Sequence, residues 1–130
     1  MNDHPTIAIV ILNWNGIPLF SRFLPSVLDN SQSEEVTIYV ADNGSTDGSN
    51  DYLRKNFPRV KLIELGRNYG FAGGYNRALQ QVDADVFVLV NSDVEVTPGW
   101  LQPCIKQLLD DRLTAAVQPK IRSYIQRKKF

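Results

Sequence analysis

With 130 residues, 43% of them hydrophobic, the chain can bury one core of its own, and nothing in it points to disorder or to a second domain. Its 14 lysines and arginines balance 14 aspartates and glutamates, so no overall basic field favours nucleic acid, and any anion must be met by a local arrangement. One cysteine excludes an internal disulfide, and the longest apolar runs, Ile7 to Leu12 and Val86 to Val90, are far too short to span a bilayer. With no signal-peptide character in Met1 to Thr6, these features together read as a cytoplasmic protein.

Ile7 to Leu12 (IAIVIL) is continuous, β-branched and apolar, the pattern of a strand buried on both faces of a parallel sheet. Pro18 then opens a helix whose apolar residues Leu19, Phe20, Phe23, Leu24, Val27 and Leu28 recur at helical spacing. Pro25 inside it is expected to bend or shorten the helix. Val36 to Ala41 is a second strand, and Tyr52, Leu53 and Phe57 mark a short helix stopped by Pro58. Val60 to Leu65 is a third strand, followed by a glycine-rich turn and a helix through Tyr75, Ala78, Leu79 and Val82. Val86 to Val90 is the fourth strand. Thr97 reads as an N-cap with Pro98 at the first helical position, leading into Trp100, Leu101, Ile105, Leu108 and Leu109. Ala115 to Ile121 is a weaker candidate for a fifth strand.

Strands alternating with helices imply right-handed crossovers and an α/β fold with a mostly parallel, doubly wound, Rossmann-like sheet. In such sheets ligands bind outside the carboxyl ends of the strands, where strand order reverses. Four polar clusters follow the four strands and so converge on that edge: Asn13-Trp14-Asn15-Gly16, Asp42-Asn43-Gly44, Asn68 to Gly74, and Asn91-Ser92-Asp93.

Each cluster also has a plain structural reading. In DNGSTDGS (Asp42 to Ser49), Asn43-Gly44 supplies a turn with positive φ and Ser45, Thr46 or Asp47 caps the next helix. Capping leaves Asp42 unexplained; a carboxylate at a strand's end suits the N–H groups of a base or a ribose hydroxyl. An EF-hand is excluded because Arg54 stands where the calcium loop needs its bidentate glutamate. The glycines of GRNYGFAGGYNRAL allow either close helix packing or the approach of a phosphate to a helix N-terminus. No P-loop lysine is present, and the glycines do not follow the first strand as a dinucleotide fingerprint requires. Asp93 alone would be a turn residue; at this edge it can hold a hard divalent cation against a diphosphate, with Glu95 acting through water or facing solvent. Trp14 is either a packing residue or a stacking platform. The basic tail, Arg122 to Phe130, reads as a solvated end, with docking to anionic lipid as the lesser alternative.

The series VILNWNG, VADNGSTDGS, NYGFAGGYNRAL and VLVNSDVEVTPGWL, in this order and spacing, closely resembles the nucleotide-binding half of family 2 glycosyltransferases of the GT-A fold, nearest to bacterial rhamnosyltransferases of polysaccharide assembly. The resemblance covers nearly the whole chain. It implies that Leu12, Asn13, Trp14 and Asp42, with Asn43 beside them, hold the nucleoside, and that Asn68, Gly70, Gly73, Gly74 and Asn76 line the diphosphate side. The family's acidic metal motif falls on Asn91, Ser92 and Asp93, of which only the last is acidic. The implied donor is a UDP- or dTDP-sugar, the cofactor Mn2+ or Mg2+, and the acceptor a saccharide or lipid-linked saccharide. The implied reaction is inverting transfer, carried out in the cytoplasm or at the inner face of the membrane. Family members carry the catalytic base further along, so the catalytic residue is unassigned, and the chain reads as a donor domain lacking the acceptor-binding part. Bare apolar surface and self-association are the expected results. The competing readings are a catalytically inactive nucleotide-binding or interaction module, and a sugar nucleotidyltransferase, whose glycine-rich, arginine-containing loop Asn13-Trp14-Asn15-Gly16-Ile17-Pro18 does not supply.

Overall fold

A computed structural model gives the structure of the protein over residues 4–128. Eight elements alternate along it: β1 (Ile7–Asn13), α1 (Ile17–Asp29), β2 (Val36–Asp42), α2 (Ser49–Asn56), β3 (Lys61–Glu64), α3 (Gly70–Leu79), β4 (Val86–Asn91) and α4 (Gln102–Asp110). The four strands form one all-parallel sheet in the order β3-β2-β1-β4. The chain therefore builds outward from β1 through β2 to β3 and then returns to the other side of β1, which makes the β1/β4 seam the topological switch point.

Central β1 is buried on both faces because its residues divide between two apolar layers. Ile7, Ile9 and Ile11 pack with Phe20, Leu24 and Val27 of α1, Leu53 of α2 and Leu101 ahead of α4. Ala8 and Val10 face the other way, toward Tyr75 and Ala78 of α3. Alternation thus persists inside an unbroken apolar run, with helices rather than solvent on either side. On the α3 side the cover is incomplete: Phe87 and Leu89 of β4, in register with Ala8 and Val10, are 41% and 52% exposed.

Four local expectations are revised. Helix α1 runs unbroken through Pro25; its buried face, from Phe20 to Val27, outweighs the loss of one backbone hydrogen bond. Thr97 does not cap α4. Its carbonyl accepts from the Trp100 N–H at 3.2 Å, with Pro98 and Gly99 (φ +74°) between them, a proline-glycine turn that replaces the first helical turn. The helix begins at Gln102, with Pro103 in its first turn. Residues 115–121 form no strand; none of them is buried, and Pro119 lacks the N–H a ladder needs. The tail does not stand free in solvent either: Tyr124 packs edge-on against Phe23 at 5.3 Å, and Arg127 Nη1 lies 2.8 Å from Glu95 Oε1. Glu95, held below its ordinary pKa by that hydrogen bond, is therefore engaged by the tail. Lys129 and Phe130 of the tail, and Met1 to Asp3, lie outside the described residues.

Candidate functional site

The carboxyl ends of three strands line up in one row. Asn13 stands opposite Asp42, and Asp42 opposite Glu64, while Asn91 of β4 faces Leu12. The residues expected at the site lie at these strand ends, in the loops that follow them and, for Gly70, Gly73, Gly74 and Asn76, on α3.

At the β1/β2 end the polar groups are buried and satisfy one another. Asn13 and Asp42 are 1% and 3% exposed. Asn13 Nδ2 donates to Asp42 Oδ1 at 3.0 Å and to Ser45 Oγ at 3.2 Å, and the Ser45 N–H donates to Asp42 Oδ2 at 3.0 Å. Each oxygen of the buried Asp42 carboxylate accepts one of these donors and keeps a lone pair for a further one. Asn13 Oδ1 has no hydrogen-bond partner although it is buried. Trp14, next in sequence, is 59% exposed, so it faces outward and does not pack into the core.

Asn43 ties the second loop to the third. Its Nδ2 donates to Asn68 Oδ1 at 3.2 Å and to the Gly70 carbonyl at 3.0 Å, and its Oδ1 accepts from the Tyr69 N–H at 2.9 Å. Asn68 Oδ1 also accepts from the Gly70 N–H at 2.8 Å, satisfying one of the donors at the start of α3. Asn43 and Asn68 are thus internal braces between the second and third loops. Gly44 shows why the turn needs glycine: its φ is +80°, and a Cβ there would lie 2.6 Å from the Arg67 Cα.

The glycines of α3 realise the close-packing reading. A Cβ on Gly74 would lie 2.9 Å from Leu12 Cδ1 and 3.0 Å from Asn43 Nδ2, and one on Gly73 would lie 3.3 Å from Tyr69 Cβ. Helix α3 therefore lies directly on Leu12 and Asn43. Tyr75 fixes it to β4 by donating its hydroxyl to the Val90 carbonyl at 3.1 Å; burial pushes that hydroxyl's pKa up, so it stays a donor. Asn76 is exposed on the next turn.

Across the seam the chemistry is different. Asn91 ends β4 exposed, Ser92 is half-buried and Asp93 is exposed, and among the described residues Asp93 has neither an ion pair nor a hydrogen-bond partner. No three His, Cys, Asp or Glu side chains come together among the described residues in a way that could hold a metal ion. Asp93 by itself fits a hard divalent cation that takes one carboxylate from protein and completes its shell with phosphate oxygens and water.

The sequence reading offered Ser45, Thr46 or Asp47 as the cap of α2. Only Asp47 does anything of the kind, accepting from the Ser49 N–H at 2.9 Å beside the N-cap residue Gly48. All three residues also bond the β1–α1 loop, 30 residues away, a role no local spacing announces. Burial opposes ionisation of Asp47, but the Ser49 hydroxyl and the Ile17 N–H outweigh it and hold the carboxyl below its ordinary pKa. Glu64, at the same edge, accepts from Asn50 Nδ2 at 2.9 Å and pairs with Arg54 at 3.1 Å.

The family model described as Glycosyl transferase family 2 matches residues 8–129. N-acetylglucosaminyl-diphospho-decaprenol L-rhamnosyltransferase of Mycobacterium tuberculosis is 29% identical over 127 residues, covering 89% of this chain and 41% of that protein. Polypeptide N-acetylgalactosaminyltransferase 5 of Rattus norvegicus is 28% identical, covering 88% of this chain and 13% of that protein. Among solved structures, a mannosyltransferase from Pyrobaculum calidifontis in complex with GDP-Man and Mn2+ superposes with a TM-score of 0.72 at 22% identity, over 80% of this chain and 32% of that one. The first 349 residues of S. aureus TarS give 0.70 at 19% identity, over 88% of this chain and 38% of that one. The sheet is thus that of the GT-A fold, and the chain spans less than half the length of each of these relatives.

Proposed function

The chain belongs to glycosyl transferase family 2, and from that premise we propose that it is the donor-binding part of a nucleotide-sugar-dependent glycosyltransferase. The observation that carries this is the β1/β4 switch point. An exposed indole on a hydrogen-bonded loop, Trp14, stands on one side, and an unengaged carboxylate, Asp93, stands on the other. A nucleoside stacks on Trp14 with its polar edge toward Asn13 and Asp42, and its diphosphate runs past Gly70, Gly73 and the start of α3 to Asn91 and Ser92. Asp93 holds the cation, Mn2+ or Mg2+, which when bound neutralises charge on the departing diphosphate.

In the transfer itself an acceptor hydroxyl oxygen bonds to the anomeric carbon while the bond from that carbon to the diphosphate breaks. The nucleoside diphosphate leaves with the electron pair, the configuration inverts, and the hydroxyl proton passes to a carboxylate base. Asp110 is engaged by Lys106, and Asp111 accepts from the Leu113 N–H and the Thr114 hydroxyl, all at the end of α4. The base and the acceptor site, for a saccharide or lipid-linked saccharide, are therefore assigned to the part of the relatives' length that this chain does not span. No helix among the described residues is long and apolar enough to cross a membrane. On the donor-binding reading, a lipid-linked acceptor is met at the inner face of the membrane.

Calorimetric titration with UDP, dTDP and GDP, each with and without Mn2+, tests the reading. Binding that needs the metal and is lost in Asp93→Ala is the expected result, with UDP or dTDP preferred. A folded chain that binds none of them refutes it.

A further inference from the structure

The loop that carries Trp14 is held in an unusual way. Asn15 has a φ of +51°, a left-handed conformation that a residue with a side chain rarely keeps without support. The support comes from the β2–α2 loop. The Asn15 N–H donates to Ser45 Oγ at 2.8 Å, Asn15 Oδ1 accepts from the Thr46 N–H at 2.7 Å, and the Ile17 N–H donates to Asp47 Oδ2 at 3.3 Å. Ser45 Oγ accepts a second bond, from Asn13 Nδ2. One hydroxyl oxygen therefore binds the residues on both sides of Trp14, using both of its lone pairs. The indole between them is more than half exposed and stacks on no other ring of the described residues.

A side chain that faces solvent cannot be fixed by packing, so its direction is set by the backbone that bears it. Here that backbone is set by Ser45. We infer that Ser45 is the positioning residue of the nucleoside site: its hydroxyl, assisted by Thr46 and Asp47, clamps Asn13 and Asn15 and so presents the Trp14 indole as a preformed stacking surface. The inference rests on the donor-binding reading for its ligand and on the hydrogen bonds alone for its geometry. Stacking accepts any base, because every base has a π face. Ser45 therefore governs how tightly a nucleotide is held and not which nucleotide is chosen.

Two measurements test it. In the ligand-free chain, 15N relaxation should show residues 14–16 losing order in Ser45→Ala while β1 and α1 keep theirs. Ser45→Thr, which retains the hydroxyl, should restore that order, and unchanged order at 14–16 in Ser45→Ala overturns the clamp. Asn15→Gly, which tolerates the left-handed backbone but removes the acceptor for Thr46, is the second variant should Ser45→Ala not fold. The other measurement is a double-mutant cycle with UDP, dTDP and GDP in the presence of Mn2+. Trp14→Ala should weaken binding about tenfold, as loss of one base–aromatic stack does. Ser45→Ala should cost about three- to fivefold in the native background, alike for all three nucleotides, and under about twofold when Trp14 is already alanine. An equal loss in both backgrounds overturns the proposal, because Ser45 would then act independently of Trp14. If the unsubstituted, folded chain binds no nucleotide, the donor-binding reading fails, and the relaxation measurement still decides whether Ser45 holds the loop.

Discussion

Gly44→Ala probes how the loop after β2 is joined to the loop after β3. Two costs arise at this position. The left-handed backbone, at φ +80°, charges an L side chain about 1–2 kcal/mol. The new Cβ also meets Arg67 Cα at 2.6 Å, Arg67 C at 2.7 Å and the Asn68 N at 2.9 Å, all backbone atoms that cannot swing aside. Overpacking of this kind costs about 1–3 kcal/mol. Together they reach about 2–5 kcal/mol, a large part of the roughly 5–15 kcal/mol that holds a domain folded. Gly48→Ala is the matched control: its φ is +84°, yet a Cβ there meets nothing within 4 Å. It should cost the conformational part alone, about 1–2 kcal/mol, and any gain from stiffening the unfolded chain is common to both variants. Thermal and urea denaturation followed by circular dichroism would measure the difference. At about 4 °C per kcal/mol for a chain of this size, Gly44→Ala should melt about 4–12 °C below Gly48→Ala. Equal melting temperatures would refute the argument that the turn after β2 is pressed against the backbone after β3.

Asn43→Ala removes the group that bridges these same loops and leaves the Tyr69 N–H, the Gly70 carbonyl and Asn68 Oδ1 without it; urea denaturation should register a loss of about 2–4 kcal/mol. Asn43→Asp should be no milder, because an acceptor would then face two acceptors. Acid titration of stability should expose Asp47. Its folded pKa is depressed by the Ser49 and Ile17 hydrogen bonds acting against burial, so its contribution is complete above the ordinary carboxylate value of about 4 and fades as pH falls through the lower folded value. Asp47→Asn should flatten the stability curve in that window and leave its slope near neutrality unchanged. Tyr124→Ala uncovers Phe23, which is 6% exposed, and should cost about 1 kcal/mol through the lost edge-to-face pair. Arg127→Ala removes an exposed ion pair and should leave the melting temperature unchanged in high salt.

What the sequence made legible follows from which forces are local. The four strands and the α/β layering could be read because apolar runs and helical spacing report burial directly, and the polar clusters could be placed at one edge because parallel strands all end there. Strand order could not be read, since nothing local to β4 says that it returns beside β1. The Thr97-Pro98 reading missed Gly99, whose φ of +74° turns the chain before a helix can start. Residues 115–121 carry strand-like residues, but none of them is buried and no strand forms there. Asp42, Asn43 and Asn68 were found as polar residues following strands, whereas the bonds of Asn13 to Asp42 and of Asn43 to Asn68, and the service that Ser45, Thr46 and Asp47 render to the first loop, depend on partners about 25 to 32 residues distant.

The two ends of the site differ in how much of their organisation precedes a ligand. At the β1/β2 end Asn13, Asp42 and Asn43 are at most 3% exposed and hydrogen-bonded to one another's loops. Ordering that end therefore costs a ligand little. At the other end Asn91 and Asp93 are exposed, and a single carboxylate cannot by itself satisfy a hard cation that takes six oxygen ligands. On the donor-binding reading, the remaining ligands come from the diphosphate and water, so cation and nucleotide each raise the other's affinity by the same factor. On that reading Asp93 needs no second acid beside it to use the metal. On the same reading what is given up is affinity for the cation alone, and a nucleotide anchored at the preformed end would restore that affinity when it binds.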